Sequence, residues 1–364
     1  MTRILFRYIS WQMLFSILTA FAIVTGIIML VDFVEATRNF DEAEISGLNL
    51  LWLTILKTPS LIEETIAFVV LFGVMWALYN LNRRSELIIM RTSGLSAWRF
   101  LTPAIVVTAL IGVFWTAVLN RLAAEAIDLR ERVIAEVSDR DTFKREDTSI
   151  WLRDGTEFEQ TVIFAPRSDL LSQTLHDAEF NVFELGNDGQ FQFARRFDAA
   201  KAALLPSGYW QLTDVVENTA DAQKRDIDKI SWPTTITKDT LQKRSRTGTL
   251  PPFWELPGEI SDLSKAGFSS TLLEMRFHEL LALPLMLVAM TLLAAAVSMR
   301  LSREGGTLQL LLAGGVLGFG VYFLQSVIGT FGKAGAINLC VAVWIVPSLV
   351  MLAATAYLSH LEDG

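Results

Sequence analysis

The sequence predicts an α-helical membrane protein with six transmembrane helices, three before and three after an inserted all-β domain. Three observations carry that prediction. Of the 364 residues, 52% are hydrophobic and the mean hydropathy is +0.40, too apolar for an ordinary soluble domain. Long runs without a charge recur, each near the roughly 20 residues that cross a hydrocarbon core. Between the third and fourth runs lies one large polar region, about Arg121 to Glu274, where the hydrophobic period changes from helical to two. The boundaries that follow are 1–120 for the first three helices, 121–275 for the β domain with its linkers, and 276–364 for the last three helices.

Tyr8 to Val31 is free of charge and follows Arg3 and Arg7. Ala20-Phe21-Ala22 resembles a cleavage site, but the apolar run continues nine residues beyond it, too far for a signal peptide. It reads as an uncleaved first span with its N-terminus in the cytoplasm. Asp32 to Glu64 is acidic and reads as an outside loop. Its second half, Leu48 to Leu56, is apolar enough to lie on or re-enter the membrane surface, and Pro59 is expected to break it before span two. Span two covers Thr65–Asn82. Span three covers Phe100–Asn120, with Pro103 near its start, where a missing N–H costs little.

Arg121 to Val137 keeps helical spacing (Leu122, Ala126, Leu129, Val133) and extends span three outward. Then alternation sets in. Ile150 and Leu152 precede Asp154-Gly155. Phe180 and Val182 precede the turn Gly186-Asn187-Asp188-Gly189, and Phe191 and Phe193 follow it. Trp210 and Leu212 alternate after Pro206-Ser207-Gly208. Short alternating strands with Gly, Asp and Pro turns argue for an antiparallel sandwich or jelly roll. Phe180, Val182, Phe191, Phe193, Trp210 and Leu212 are the candidate apolar lining; the same residues read equally as plain core. Leu250-Pro251-Pro252 and Leu256-Pro257-Gly258 form the return linker. Spans four, five and six fall in Leu280–Met299, Gly305–Gly332 and Ala334–Leu361, with Pro284 and Pro347 inside spans four and six.

The loop between spans two and three, Asn82 to Arg99, holds Arg83, Arg84, Arg91 and Arg99 against the single acid Glu86. Excess arginine in a short loop places it in the cytoplasm. A short helix is expected over about 83–97, with Glu86, Ile89 and Met90 on one face and an exit at Gly94. Two readings stand side by side: a docking helix for a soluble partner, and an interfacial helix whose arginines meet lipid phosphates. The assigned cytoplasmic pieces carry eight bases and two acids, whereas Arg121–Arg276 carries 27 acids and 20 bases. That asymmetry sets orientation and gives no sign of nucleic-acid binding.

The chemistry of an enzyme is missing from the sequence. It holds no Gly-x-x-x-x-Gly-Lys-Ser/Thr phosphate loop, no nucleophile elbow and no paired metal-binding histidines, so neither cofactor nor metal is expected. Cys340 is the single cysteine, which excludes an intrachain disulfide. Glu63, Glu64, Arg276, His278 and Glu279 sit at the predicted outer membrane edge and read as interfacial anchors. In span five Gly314 and Gly318 make a small-xxx-small pair that lets helices approach closely. That pair fits packing within the chain and contact with a partner subunit equally well.

Taken together, the topology and the run Ser85-Glu86-Leu87-Ile88-Ile89-Met90-Arg91-Thr92-Ser93-Gly94-Leu95-Ser96 resemble the LptF/LptG permeases of the lipopolysaccharide exporter. Supporting signals are Arg7-Tyr8-Ile9, Val31-Asp32, Gly208-Tyr209-Trp210-Gln211-Leu212 and Gly318-Phe319-Gly320-Val321-Tyr322-Phe323-Leu324-Gln325. Val31-Asp32 and the span-five segment look more like the LptG branch than the LptF branch. The resemblance implies a permease that extracts lipopolysaccharide from the outer leaflet of the inner membrane and passes it to a periplasmic jelly-roll bridge. It implies as partners an LptF-like permease, an LptB-like ATPase dimer, LptC and the bridge protein LptA. It makes Arg84, Ser85, Glu86, Leu87, Met90, Arg91 and Gly94 the ATPase-coupling set. Met29, Val31, Asp32, Arg38, Gly314, Gly318, Tyr322 and Gln325 become the lateral-gate or lipid-contact set. One departure stands out: where some members carry lysines at the outer end of span one, only Arg38 is basic here. Other readings left open are the LptF role and a membrane-anchored sensor whose β domain binds a periplasmic ligand.

Overall fold

A computed structural model describes residues 3–39, 47–138, 150–155, 159–169, 173–186, 191–219, 224–234, 236, 251–265, 269–301 and 307–363. The turn at Asn187–Gly189, Leu250, Arg303 and the side chain of Arg91 lie outside that description. The chain divides into two units. One is Met1–Val137, Leu250–Ser261 and Ser269–Gly364; the other is Ser138–Thr249 and Asp262–Phe268.

The first unit is helical. α1 (Arg3–Asn39), α2 (Gly47–Arg83), a short α3 (Glu86–Thr92) and α4 (Ala97–Phe114) come first. α4 passes through a π-helical turn, Trp115–Leu119, into α5 (Asn120–Ser138). After the β region come α6 (Leu256–Lys265), α7 (Thr271–Leu301), α8 (Thr307–Lys333) and α9 (Leu339–Asp363). Six of these stretches are long and apolar enough to cross a membrane, with α4 and α5 counting as one. The expected outward extension of span three is present as α5. The expected linker at Leu256 instead opens α6, where a proline in the first turn removes only an N–H that would be orphaned anyway.

Pro59 does not break the chain: α2 runs through it without interruption. Hydroxyl side chains support the ladder around the missing donor. Thr54, Thr58 and Ser60 donate to the carbonyls of Leu50, Thr54 and Lys57 at 3.1, 2.8 and 2.8 Å. Inside an apolar unit such back-bonding lets a helix keep a proline. Leu48 to Leu56 is therefore the first part of span two rather than a separate surface segment. Leu50 and Leu53 pack with Phe33 and Ala36 of α1 and with Val133 and Ile134 of α5.

Helix contacts differ in kind. A Cβ placed on Gly112 of α4 would lie 2.6 Å from the Pro284 Cα of α7, and one on Gly73 of α2 would lie 2.7 Å from the Ile17 Cα of α1. At these crossings backbone meets backbone, and only glycine fits. The α4–α7 seam is also fastened by the Thr291 hydroxyl, which donates to the Thr108 hydroxyl at 3.0 Å, and by Thr116, which donates to the Leu280 carbonyl at 2.9 Å. Interhelical hydroxyl bonds and small residues are the expected glue where the surroundings are as apolar as the helices.

The second unit holds one antiparallel sheet in the order β1-β2-β4-β5-β6-β7, with β3 also paired to β4. The strands are β1 (Ile150–Gly155), β2 (Glu159–Ala165), β3 (Arg167–Asp169), β4 (Thr174–Leu185), β5 (Phe191–Leu205), β6 (Tyr209–Thr219) and β7 (Lys224–Pro233). A crease crosses four of them at one rung. Pairing skips Asp177, Ala200, Asp214 and Asp228, while the register continues unchanged on either side. Asp177 and Asp214 have φ of 53°, in the left-handed region that aspartate tolerates better than most residues. The inward residues step by three across this rung instead of two: Leu175 to Ala178, Ala199 to Ala202, Leu212 to Val215, Ile227 to Ile230. Because these four strands skip the same rung, the apolar face stays continuous across it. On the polar side Arg196 donates to Asp198, which holds the guanidinium above its ordinary pKa, and Glu179 completes the group.

Candidate functional site

The Glu86 end of the helical unit is built around α3. Its entry is a corner at Ser85, whose φ of 60° is left-handed, and its exit is Gly94 with φ of 81°. The Leu95 amide reaches back to the Met90 carbonyl at 3.2 Å, the closure that a left-handed glycine makes possible. Both corners turn the chain within a few residues, so a helix of only seven residues is held between α2 and α4. The apolar residues of α3 split by face. Leu87 and Met90, three apart, are buried in the same cluster as Ile9 and Met13 of α1. Ile88 and Ile89 point outward, 54% and 64% exposed, with Arg83, Arg84 and Ser85 also exposed.

This corrects the expected face. Met90 does not share a surface with Ile89; it points inward with Leu87, and both act as anchors beneath the helix. Ile88 was not named in the expected face, and neither it nor Ile89 was in the coupling set, although their signal was present: two adjacent β-branched side chains in a stretch rich in arginine. Glu86 is half-buried. Both of its carboxylate oxygens accept from the Tyr8 hydroxyl of α1, at 2.9 and 3.2 Å.

At the other end, Glu63 of α2 joins three helical stretches. It forms an ion pair with Arg276 of α7, and its carboxylate accepts from the Trp115 indole at 3.2 Å and from the Asn120 amide at 2.8 Å. The π turn makes this possible. One extra residue in the coil, marked by the Asn120 amide bonding to the Trp115 carbonyl, rotates Trp115 and Asn120 toward Glu63. Asn120 in turn accepts from the Phe253 amide at 2.8 Å. Glu63 is thus a structural junction, more than the interfacial anchor the sequence suggests. A cavity of about 430 Å³ opens beside it between α2, α7 and α8. Its charged lining is Glu63, Glu64, Arg276, Glu279 and Lys333, and Tyr322 and Gln325 belong to its α8 wall. A charged rim over apolar neighbours suits the polar–apolar junction of an amphiphile.

The gate candidates fall into separate places. Gly314 and Gly318 face α2, where added Cβ atoms would meet the Met75 Sδ at 2.5 Å and the Leu71 Cδ2 at 2.8 Å. Tyr322 lies against Phe68, ring centroids 6.0 Å apart, and lines the cavity with Gln325. Val31 and Arg38 are exposed and Met29 is half-buried on α1. Asp32 turns inward and takes the Lys57 ammonium at 2.5 Å. Lys57 therefore supplies a base at the end of span one that sequence spacing alone did not place there.

Of the six residues proposed to line the β domain, Phe180, Val182, Trp210 and Leu212 are completely buried and fill its core. Phe191 and Phe193 are exposed, 37% and 44%, and leave that set. The cause is a bulge. Val182 pairs with Arg195 but Phe183 pairs with Phe193, so one extra residue in β5 carries both phenylalanines to the opposite face. Phe193 instead meets Phe183, ring centroids 5.9 Å apart.

Six helices long and apolar enough to cross a membrane, in two groups of three, with an antiparallel β region between the groups in sequence and a short helix at the Glu86 turn, define a polytopic membrane protein. Comparison with known proteins gives the family. Residues 7–360 match the model of the family "Lipopolysaccharide export system permease LptF/LptG". The chain belongs to that family and is a component of the inner membrane. It is similar to a lipopolysaccharide export system permease protein, LptG, of Haemophilus influenzae, with 25% identity over 340 residues, 89% of each chain.

Proposed function

We propose that this chain is the LptG-type permease of an ATP-driven lipopolysaccharide exporter. It takes lipopolysaccharide from the outer leaflet of the inner membrane and passes it to a periplasmic jelly-roll bridge leading to the outer membrane. Both termini and α3 face the cytoplasm, and the β region is periplasmic. A separate LptB-like ATPase dimer supplies the energy, an LptF-like permease is the membrane partner, and LptC and LptA continue the route. The observation that supports this most is the surface of α3, where two exposed isoleucines follow an acid in an arginine-rich turn and Leu87 and Met90 anchor the helix from below. A carboxylate in that position can take a guanidinium from a docking partner in a directional, charge-assisted contact. A short helix seated in a partner's groove passes rigid-body motion to the spans it joins.

The charge at the far end fits the same reading. Arg38, Lys57, Arg276 and Lys333 are the bases near the gate candidates, and Lys57 and Arg276 are already paired with acids. Lipid contact is therefore mainly apolar, along Met29, Val31 and Tyr322, while Gly314 and Gly318 set how closely α8 sits on α2. The test is a pull-down from native membranes, with the natural chain beside Glu86→Ala. An ATPase and a second six-span chain are expected with the natural chain, and Glu86→Ala lowers ATPase association or activity about tenfold, as loss of a charge-assisted contact would. Recovery of the chain alone in both samples sinks the transporter reading and favours a sensor.

A further inference from the structure

α3 is fastened at three points, and only two are covalent. The backbone ties it to α2 through Ser85 and to α4 through Gly94. The third tie is the Tyr8 hydroxyl of α1 on both oxygens of Glu86, 78 residues away in sequence. The neighbours of each partner strengthen it. Ile9 and Met13, one residue and five residues after Tyr8, are completely buried, and they share a cluster with Leu87 and Met90 of α3. The first turns of α1 and the buried face of α3 therefore form one packed block, with the hydrogen bond at its edge. Beyond this block α1 is held by α2 at the Ile17 crossing and the Asp32–Lys57 pair, and its other side, with Trp11, Phe15, Leu18, Ile23, Ile27 and Leu30, is exposed.

We infer that Tyr8 is a positioning residue that orients the Glu86 carboxylate and carries displacement of α3 directly into α1. The inference rests on α3 being the docking helix for an ATPase. An ionised carboxylate has about four acceptor sites. The Tyr8 hydroxyl occupies one edge and leaves room for a guanidinium from the docking partner. It also removes rotamer freedom from Glu86, so the acid is preorganised before the partner arrives. Packing of α2 against α1, with Leu78 and Leu81 in the same cluster as Ile9 and Met13, is a second, purely apolar route. The Tyr8 contact delivers motion at the N-terminal end of α1, where a small tilt is amplified along a 37-residue helix.

The test uses the complete exporter in proteoliposomes, with Tyr8→Phe, Glu86→Gln and the double variant. Tyr8→Phe keeps the ring and removes the hydroxyl that meets Glu86 and Arg84. ATPase hydrolysis, lipid released per ATP, and the mobility of a spin label at Ile4, which is 77% exposed, are read together. Tyr8→Phe is expected to assemble normally, to cut lipid released per ATP about fivefold, and to abolish the ATP-dependent change at Ile4. The double variant is expected to be no worse than Glu86→Gln alone, since coupled residues do not add. If Glu86→Gln impairs the exporter while Tyr8→Phe leaves release per ATP and the label unchanged, the inference falls and the docking reading stands. Losses that multiply in the double variant also overturn it, because Tyr8 then acts by a route other than Glu86. If Glu86→Gln has no effect on assembly, hydrolysis or release, the docking reading falls and the inference with it.

Discussion

α7 and α8 are neighbours in sequence with similar apolar composition, yet they live differently. Over its most apolar window α7 is 67% buried, packed by α2, α4 and α9; the corresponding window of α8 is 17% buried. α7 meets α4 backbone to backbone at Gly112 and Pro284, adds two hydroxyl bonds, and contributes Arg276 to the Glu63 junction. α8 leans on α2 through Gly314 and Gly318, but there the opposing atoms are the ends of Met75 and Leu71 together with the Phe68 ring. Leu308, Leu312, Val316, Phe319 and Phe323 are left exposed. A span locked by backbone contact, hydrogen bonds and an ion pair holds the fold. A span seated on adaptable side chains can shift by a fraction of an ångström at low cost, as the proposed lateral gate requires. Over their most apolar windows α2 is 56% buried and α1 11%, although α1 keeps the Ile17 crossing with Gly73 and the Asp32–Lys57 pair.

The largest test of this contrast is Arg276→Ala. It leaves Glu63, whose side chain is 7% exposed, as an unpaired charge supported only by neutral donors. Breaking a buried pair from one side costs about 3 kcal/mol or more. The melting temperature of the detergent-solubilised chain should fall clearly, and an unchanged value would remove α7 from its anchoring role. Gly112→Ala comes next. The new methyl would meet the Pro284 backbone, which cannot rotate away, so roughly 1–3 kcal/mol of overpacking is expected in the same melt. The smallest effects belong to α8. Gly318→Ala should cost about 1 kcal/mol, because a leucine methyl and a phenylalanine ring must yield. Gly314→Ala should be close to neutral, because the obstacle is the flexible end of a methionine. An α8 glycine variant as damaging as Gly112→Ala would erase the distinction between the two spans.

Several sequence expectations failed for identifiable reasons. Pro59 reads as a breaker, but hydroxyls four residues apart along α2 support the helix through it. Alternation puts Phe191 and Phe193 with Phe180, but a single bulged residue in β5 reverses them, and no local composition announces it. The crease at Asp177, Ala200, Asp214 and Asp228 is visible only once four strands are laid in register, although three aspartates in corresponding places were there to be seen. Lys57 and Asp32 are 25 residues apart with no periodic relation, so only the α1–α2 packing pairs them. Glu63 looked like one of several edge charges; the π turn that gathers Trp115 and Asn120 around it leaves no pattern in composition.

The sequence by itself determined the number of spans, their grouping about a β region and the presence of a short helix after Arg84. These follow from hydropathy, charge and period, which are sums over many residues and survive local exceptions. The tertiary structure alone decided which face of α3 is buried, which acids are paired, which phenylalanines reach the surface and which spans are locked. Each of those depends on one residue more or less in a turn, or on one side chain meeting another from a distant helix. Packing settles such choices at the scale of a single methyl group or hydrogen bond, where summed patterns carry no information.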